Sequence, residues 1–308
     1  MKNFIILILK GMGMGAANVI PGVSGGTIAL ITGIFERLIN AIKSFNLKAI
    51  KLLIKFDLKG FAKHTDLQFL TAIFVGVVIA IVSLARLFDY LFTNFPVYIW
   101  AYFFGLVLAS VYFVGKTVTS WKLSSISTFI IGAAIAVMVS VLNPATENQS
   151  FFYLILCGVA AICSMILPGL SGSFILFVMG NYKLVAIDAI NNADLGILLP
   201  VIIGAIGGLI AFSHLLSWVF KRYRDETISL LTGFILGSLS ILWPWQKEVF
   251  MLDEKGMQIL RDGVPVVQKY EIILPTQIDF SFFLAVLFIF IGIISIWLIE
   301  NGASKSNT

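Results

Sequence analysis

Two short segments carry the residue types best suited to chemistry. Pro21-Gly22-Val23-Ser24-Gly25-Gly26-Thr27 and Pro168-Gly169-Leu170-Ser171-Gly172-Ser173 each interrupt a long apolar stretch. Pro-Gly cannot continue a helix, and the serine that follows is a natural N-cap for a new one. Glycines at Gly25, Gly26 and Gly172 let a ligand approach the backbone closely. The start of a helix offers unpaired N–H groups and a partial positive charge, which suits an anion such as a phosphate. Ser24, Thr27, Ser171 and Ser173 would add hydroxyl donors. Small residues also permit tight helix packing in a membrane; we take the anion-binding reading as the working expectation.

Charged residues inside apolar segments form a second group, since a charge in a membrane is costly and usually has a task. Glu36 and Arg37 stand side by side near the end of the stretch that follows the first Pro-Gly. They would gate or select a head group, or snorkel to the interface. Arg86 lies toward one end of its apolar stretch with Asp89 one turn on, and His214 occupies the corresponding place in a later stretch. Arg86 and His214 would receive a phosphate at either face, and His214 could couple transport to a proton. Asn18, Tyr182 and Lys183 flank the interrupted segments.

What must position these residues is a membrane. The chain has 308 residues, 59% hydrophobic and 12% charged, with a mean hydropathy of +1.00. That charged share is about half that of a soluble domain, and a soluble globule would need more polar surface. The net charge of +5 resides in short loops between apolar stretches, which points to membrane orientation and not to nucleic acid. Cys157 and Cys163 share one apolar stretch without a histidine cluster and read as small buried residues. Nothing suggests a cofactor or a metal site. The N-terminal apolar run reads as a first membrane segment, not a cleaved leader.

Apolar stretches fall near 3–20, 24–42, 67–93, 97–115, 124–142, 151–167, 171–190, 195–220, 227–246 and 281–299. Six read as full spans. The pairs 3–20 with 24–42 and 151–167 with 171–190 read as re-entrant hairpins whose breaks lie near the midplane, where non-helical backbone is tolerated only beside protein or a watery cavity. The connection 43–63 carries six lysines against Asp57 alone, and Lys116, Lys122, Lys221, Arg222 and Arg224 fall in later connections on the same side. The positive-inside rule puts that side, and both termini, in the cytoplasm of a bacterial inner membrane protein. Within 43–63 the spacing of Lys48, Lys51, Lys55 and Lys59 against Leu47, Ile50, Ile54, Leu58 and Phe61 predicts a basic amphipathic helix on an anionic leaflet. The outward loop 247–280, with Arg261-Asp262-Gly263, predicts a small β-hairpin.

The two Pro-Gly segments are copies. Pro21 recurs 147 positions on as Pro168, and Gly33 as Gly180. Further along a spacing of 128 pairs Asp66 with Asp194, Gly76 with Gly204, Gly105 with Gly233 and Ser110 with Ser238. Repeat one covers about 1–143 and repeat two about 150–300, within one membrane domain of residues 1–308. Each would be one re-entrant hairpin plus three spans. Three is odd, so the second copy enters from the opposite side. The expected fold class is therefore an all-α polytopic membrane protein of two inverted-topology repeats, an arrangement common in secondary transporters.

The blocks Gly11–Arg37 (GMGMGAANVIPGVSGGTIALITGIFER) and Ile166–Tyr182 (ILPGLSGSFILFVMGNY) resemble the two signature blocks of the PopT family of bacterial polyprenyl-phosphate transporters. Ser83–Arg86 and Phe103–Leu106 also resemble its pattern, and only the loop 247–280 has no match. The resemblance implies movement of undecaprenyl phosphate from the outer to the cytoplasmic leaflet, recycling the carrier for peptidoglycan and other envelope polymers. It implies a polyprenyl tail left in the surrounding membrane lipid. Apart from the resemblance, a proton or a cation would serve as coupling ion, the former through His214. Two other readings stand beside it. Undecaprenyl pyrophosphate phosphatases have a related loop with an arginine after the serine, absent after Ser24 and Ser171, and phosphoryl transfer would want that charge. A transporter of small soluble anions would also use inverted repeats.

Overall fold

A computed structural model describes residues 2–19, 24–142, 145–250, 260–261, 264–265, 267–275 and 278–305. Pro21, Gly22 and Val23 of the first signature lie outside these residues, as does the side chain of Arg86. The described chain is a helical membrane protein. Five helices are long and apolar enough to cross a bilayer: α6 (Leu67–Asn94), α7 (Pro96–Gly115), α8 (Leu123–Val141), α12 (Leu195–Arg222) and α14 (Phe280–Lys305). Large apolar side chains on their outer faces, such as Val82, Ile130, Ile206 and Phe283, stand exposed. Acyl chains solvate such a surface where water would not.

The sixth expected span, 227–246, is instead the shorter helix α13 (Arg224–Ser238). Nearly every residue from Thr227 to Ser238 is buried, so protein, not lipid, surrounds it. At 1.5 Å per residue a 15-residue helix falls short of a bilayer core of about 30 Å. Beyond it the chain leaves the helical layer as tight turns before Pro244, and the loop forms two antiparallel strand pairs. β1 (Gln246–Phe250) pairs with β4 (Val267–Ile272), and β2 (Leu260–Arg261) with β3 (Val264–Pro265), in line with the expected hairpin. Phe104, Trp243, Trp245 and Phe282 stack in succession where this sheet meets the helices, the kind of ring cluster found at membrane boundaries.

The interrupted segments fold back on themselves. α1 (Lys2–Val19) runs parallel to α6, with Gly11 against Ile73 and Gly15 against Val77, so it ends near the middle of α6. α2 (Gly25–Ile31) returns along α1, with Gly25 beside Asn18 and Ile28 beside Gly13. In the second copy α9 (Phe151–Ile166) runs parallel to α12, with Gly158 against Val201 and Gly208 against Val159. α10 (Gly172–Val178) returns along it, with Gly172 beside Met165 and Ala161.

The returning arms differ from expectation in one respect. Each was expected to be a single helix, 24–42 and 171–190, but each stops at a glycine in the left-handed region: Gly33 at φ +70° and Gly180 at φ +74°. The same hydrogen bonds close both ends. Ile34 N donates to Ala29 O and Asn181 N to Leu176 O, each at 2.9 Å, as in a helix terminated by an αL glycine. After the first stop the chain turns by 117° into α3 (Phe35–Lys43). After the second it forms a π-helical turn, Leu184–Asp188, that runs into α11 (Ala189–Asn191).

The 43–63 connection also divides, into α4 (Leu47–Ile54) and α5 (Leu58–His64). Phe56 adopts φ +55° and the Asp57 side chain caps α5 by accepting from Gly60 N, which ends the single helix that the spacing predicted. Leu47, Ile50, Ile54, Phe56 and Leu58 remain exposed among the lysines, as an interfacial helix requires.

Between the copies, α7 packs parallel to α14 and α8 parallel to α13. Ser124 bonds Glu226 near the start of the second pair, and Ser240 bonds Ser140 near its end. Glycines permit all four close helix pairs. Gly76 abuts Ile8 O and Gly204 abuts Ile155 O; Gly105 abuts Ile289 O and Gly233 abuts Phe129 O. Asp225, at the start of α13, ties down the α7–α8 connection by accepting from Thr119 N (3.0 Å) and Ser120 N (3.1 Å).

Two expectations follow. Gly76→Ala and Gly204→Ala would each drive a methyl into a facing carbonyl, and each should destabilise the protein by about 1–3 kcal/mol in detergent thermal unfolding. Because the two sites are counterparts, the losses should be similar. Asp225 is held below its ordinary carboxylate value, chiefly by the Thr119 N–H. Its contribution is present above the unfolded pKa and is lost as pH falls through the lower folded pKa. The stability difference between wild type and Asp225→Asn should therefore be constant near neutrality and shrink only in acid, as read from melts across pH.

Candidate functional site

The ends of the two hairpins meet. Ser24 Oγ lies 3.2 Å from Leu167 O and 3.4 Å from Met165 O, and Gly169 N donates to Thr27 Oγ1 at 3.2 Å. Gly26 passes so close that an added Cβ would sit 2.6 Å from Ile166 O. Ser24 and Thr27 are buried, 3% and 1% exposed. The site is thus a junction between the start of α2 and the segment joining α9 to α10.

At hairpin one the structure departs from the expected open cradle. Gly25 N donates to Asn18 Oδ1 (2.8 Å), Gly26 N to Ser24 Oγ (3.1 Å) and Thr27 N to Ser24 O (2.9 Å). All three amides are satisfied inside the protein. In this conformation Ser24 and Thr27 bond one hairpin to the other, and the Gly25 and Gly26 amides are used up within hairpin one instead of being offered to a ligand. The reason is the low dielectric around them, where an unpaired buried amide costs about 1–3 kcal/mol.

Hairpin two has the same backbone and different chemistry. Ser171 sits at φ −114°, ψ 133°, and Ser24 at φ −114°, ψ 136°. Yet no side chain caps α10: Ser171 keeps the serine but turns it to Ser173, the position equivalent to Asn18 is Met165, and the position equivalent to Thr27 is Phe174. Ser171 Oγ instead lies 2.7 Å from Ser173 Oγ, and Ser173 is exposed while Gly172 is buried behind it. This end presents two hydroxyls beside uncapped amides.

The charged candidates lie elsewhere. Arg37 makes a two-point ion pair with Asp66, at 2.7 and 3.1 Å, and stacks on Phe69. Glu36 pairs with Arg224 at 3.4 Å. Both line a 510 Å³ cleft that also includes Gly33, Asn40 and His64, at the elbow where α2 ends. His214 is partly exposed and its Nδ1 lies 2.8 Å from Ile210 O of its own helix, which makes Nδ1 the donor. Arg86 belongs to α6, the counterpart of α12. Tyr182 is partly exposed, and Lys183 pairs with Asp188 at 3.7 Å.

One buried polar contact escaped the sequence reading. Lys10 Nζ donates to Thr32 O at 2.7 Å, capping the C-terminus of α2 with a cation from within α1. In the second copy Tyr153 OH donates to Met179 O at 2.8 Å, the equivalent carbonyl. A lone lysine in an apolar helix was the available signal.

The family profile described as undecaprenyl phosphate translocase-like (VCA0040-like) matches residues 14–259. The chain belongs to this translocase-like family. A relative called polyprenyl-phosphate transporter, from Vibrio cholerae serotype O1, is 41% identical over 268 residues, covering 87% of this chain and 85% of its own. A second of the same name, from Staphylococcus aureus, is 31% identical over 256 residues, covering 78% of this chain and 86% of its own. No solved structure matches. The family match includes the end of α1 from Met14 on, α2, the whole of hairpin two, and α3, α6, α7, α8, α12 and α13.

The junction makes a distinction that thermal unfolding can read. Thr27→Val leaves Gly169 N–H buried without a partner and should cost about 1–3 kcal/mol. Ser171→Ala removes a hydroxyl that caps nothing and should cost well under that. Equal losses in the two melts would contradict the assignment of Thr27 as a clamp.

Proposed function

We propose that this protein is an undecaprenyl phosphate translocase of the bacterial cytoplasmic membrane, carrying the lipid's head group from the outer to the cytoplasmic leaflet with both termini in the cytoplasm. The observation that carries this reading is the meeting of two helix breaks midway along α6 and α12, one closed by its own side chains and one uncapped. A phosphate monoester needs dense donors once it leaves water, and its prenyl tail needs none. Ser171, Gly172 and Ser173 supply donors at the uncapped end, and apolar outer faces leave the tail in lipid.

The inversion of the two copies belongs to this proposal. α7 and α8 are joined by a short connection and reverse direction across it, and α8 runs parallel to α13. These contacts support opposite directions for the counterparts α7 and α13. Alternating access then amounts to exchange of roles between the hairpins, with Ser24, Gly25, Gly26 and Thr27 freed when hairpin one opens. Arg86 and His214, at counterpart positions of α6 and α12, would attract the phosphate at opposite faces, and His214 is the group we assign to proton coupling.

The deciding experiment is a leaflet-resolved measurement of undecaprenyl phosphate in vesicles with and without purified protein. Wild type should equilibrate or concentrate the lipid, and Ser171→Val with Ser173→Val should slow transfer by about tenfold or more, the size expected when charge-assisted hydrogen bonds to a phosphate are lost. Unaltered transfer in that double variant would remove hairpin two from the pathway. Uptake of inorganic phosphate without lipid movement, or release of phosphate from the lipid, would replace the function altogether.

A further inference from the structure

A second pocket lies away from the hairpin junction, where α3 of one copy packs on α12 and the start of α13 of the other. Its volume is about 180 Å³, and its polar lining is Glu36, Asn40, Ser217, Lys221 and Arg224. Behind this lining Lys43 Nζ donates to Ser217 Oγ (3.2 Å), and Ser217 donates to Asn40 Oδ1 (3.0 Å). Ser217 is 3% exposed, so this chain of bonds is built into the protein and is not a surface accident. Ile39 and Phe220 complete the wall with apolar carbon, and Phe220 is fixed against Phe35.

The charges around the pocket do not balance. Lys221 and Arg224 line the pocket with a single carboxylate, Glu36, which Arg224 holds, and Lys43 adds a third positive charge behind Ser217. Among the described residues neither Lys43 nor Lys221 has a carboxylate within salt-bridge distance. The Lys221 ammonium, a guanidinium on a weak 3.4 Å pair and two polar side chains line one concavity, with the Lys43 ammonium bonded to Ser217 behind them. That set complements an anion with several acceptor oxygens.

We propose that this pocket is a second binding site, for a phosphate monoester, formed only where the two copies meet. The anion would draw Arg224 from Glu36, take Lys221 directly and bond the Asn40 and Ser217 groups that Lys43 orients. The apolar wall suits the first carbons of a prenyl ester better than a hydrated inorganic ion. Identification of the ester as the transported lipid rests on the function proposed above; the anion chemistry does not. In that setting the pocket is a station on the lysine-rich face, reached before or after the junction.

The test uses full-length protein in detergent and acylation of lysine amines read by mass spectrometry. Farnesyl monophosphate should protect Lys43 and Lys221 while leaving Lys55 reactive, and farnesol should protect neither. Protection should persist in the Ser171→Val, Ser173→Val protein, so failure of the junction and failure of this pocket give different results. Lys43→Gln with Lys221→Gln should weaken farnesyl monophosphate binding at this site by about tenfold or more, as loss of hydrogen-bonded charge partners does. Equal protection by inorganic phosphate at matched concentration supports the site and assigns it to free phosphate. If neither anion protects the two lysines in the wild type, the proposal is overturned.

Discussion

Everything in this structure depends on how two helix ends are satisfied in the interior of a membrane protein. Amides at a helix start have no partner within the helix, and lipid offers none. At α2 the solution is local and complete: Asn18, Ser24 and the Ser24 carbonyl take the three amides from Gly25 to Thr27. The spare capacity of the same hydroxyls is then turned on the other copy, with Ser24 against Leu167 O and Thr27 against Gly169 N. Without those contacts the break in hairpin one would be a liability. With them it becomes a point at which the two hairpins are bonded to each other.

Close packing brings the ends together. Association of helices in lipid gains little from burying apolar side chains, so small residues that let backbones touch become decisive. Glycine supplies this at corresponding places in both copies. Gly76 and Gly204 admit α1 and α9, while Gly105 and Gly233 admit α14 and α8. The first pair of contacts sets how deep each hairpin reaches along its neighbouring span. The second pair ties the copies into one body around α13, whose burial explains why it is shorter than a span.

Much of this was legible in the sequence, and what was not has identifiable causes. Spans, the two hairpins and the basic interfacial segment follow from apolar length and from Pro-Gly punctuation, signals that are local. The stops at Gly33 and Gly180 were visible as a repeated glycine but were read only as a mark of duplication; their role as αL helix ends needed the backbone. The break at Phe56 was signalled by Asp57, an N-cap that a lysine periodicity concealed. At the candidate site, residue types mark the two segments that meet in the fold but not the state of their donors. Ser24 looks equally available whether or not a carbonyl some 140 residues away has claimed it. Likewise nothing local marks Ser217 as the link between Lys43 and Asn40.

The two copies keep one backbone and diverge in the side chains that finish it. Asn18 corresponds to Met165 and Thr27 to Phe174, so one helix start is capped and bonded and the other is bare. Lys10 and Tyr153 reach equivalent carbonyls from positions one turn apart, one with a charge and one without. A shared backbone means each hairpin can reach the geometry of the other. Unequal caps mean that exchanging the two arrangements would not be neutral in energy. The bonds that must change are few. Asn18 to Gly25 and Ser24 to Gly26 lie within one copy and travel with it. Among the described residues, the hydrogen bonds that cross between copies at the junction are those of Ser24 and Thr27 to the second hairpin. Separation of the hairpins would therefore leave one serine, one threonine and the Gly169 amide without partners together, three polar groups that must be satisfied again wherever they go.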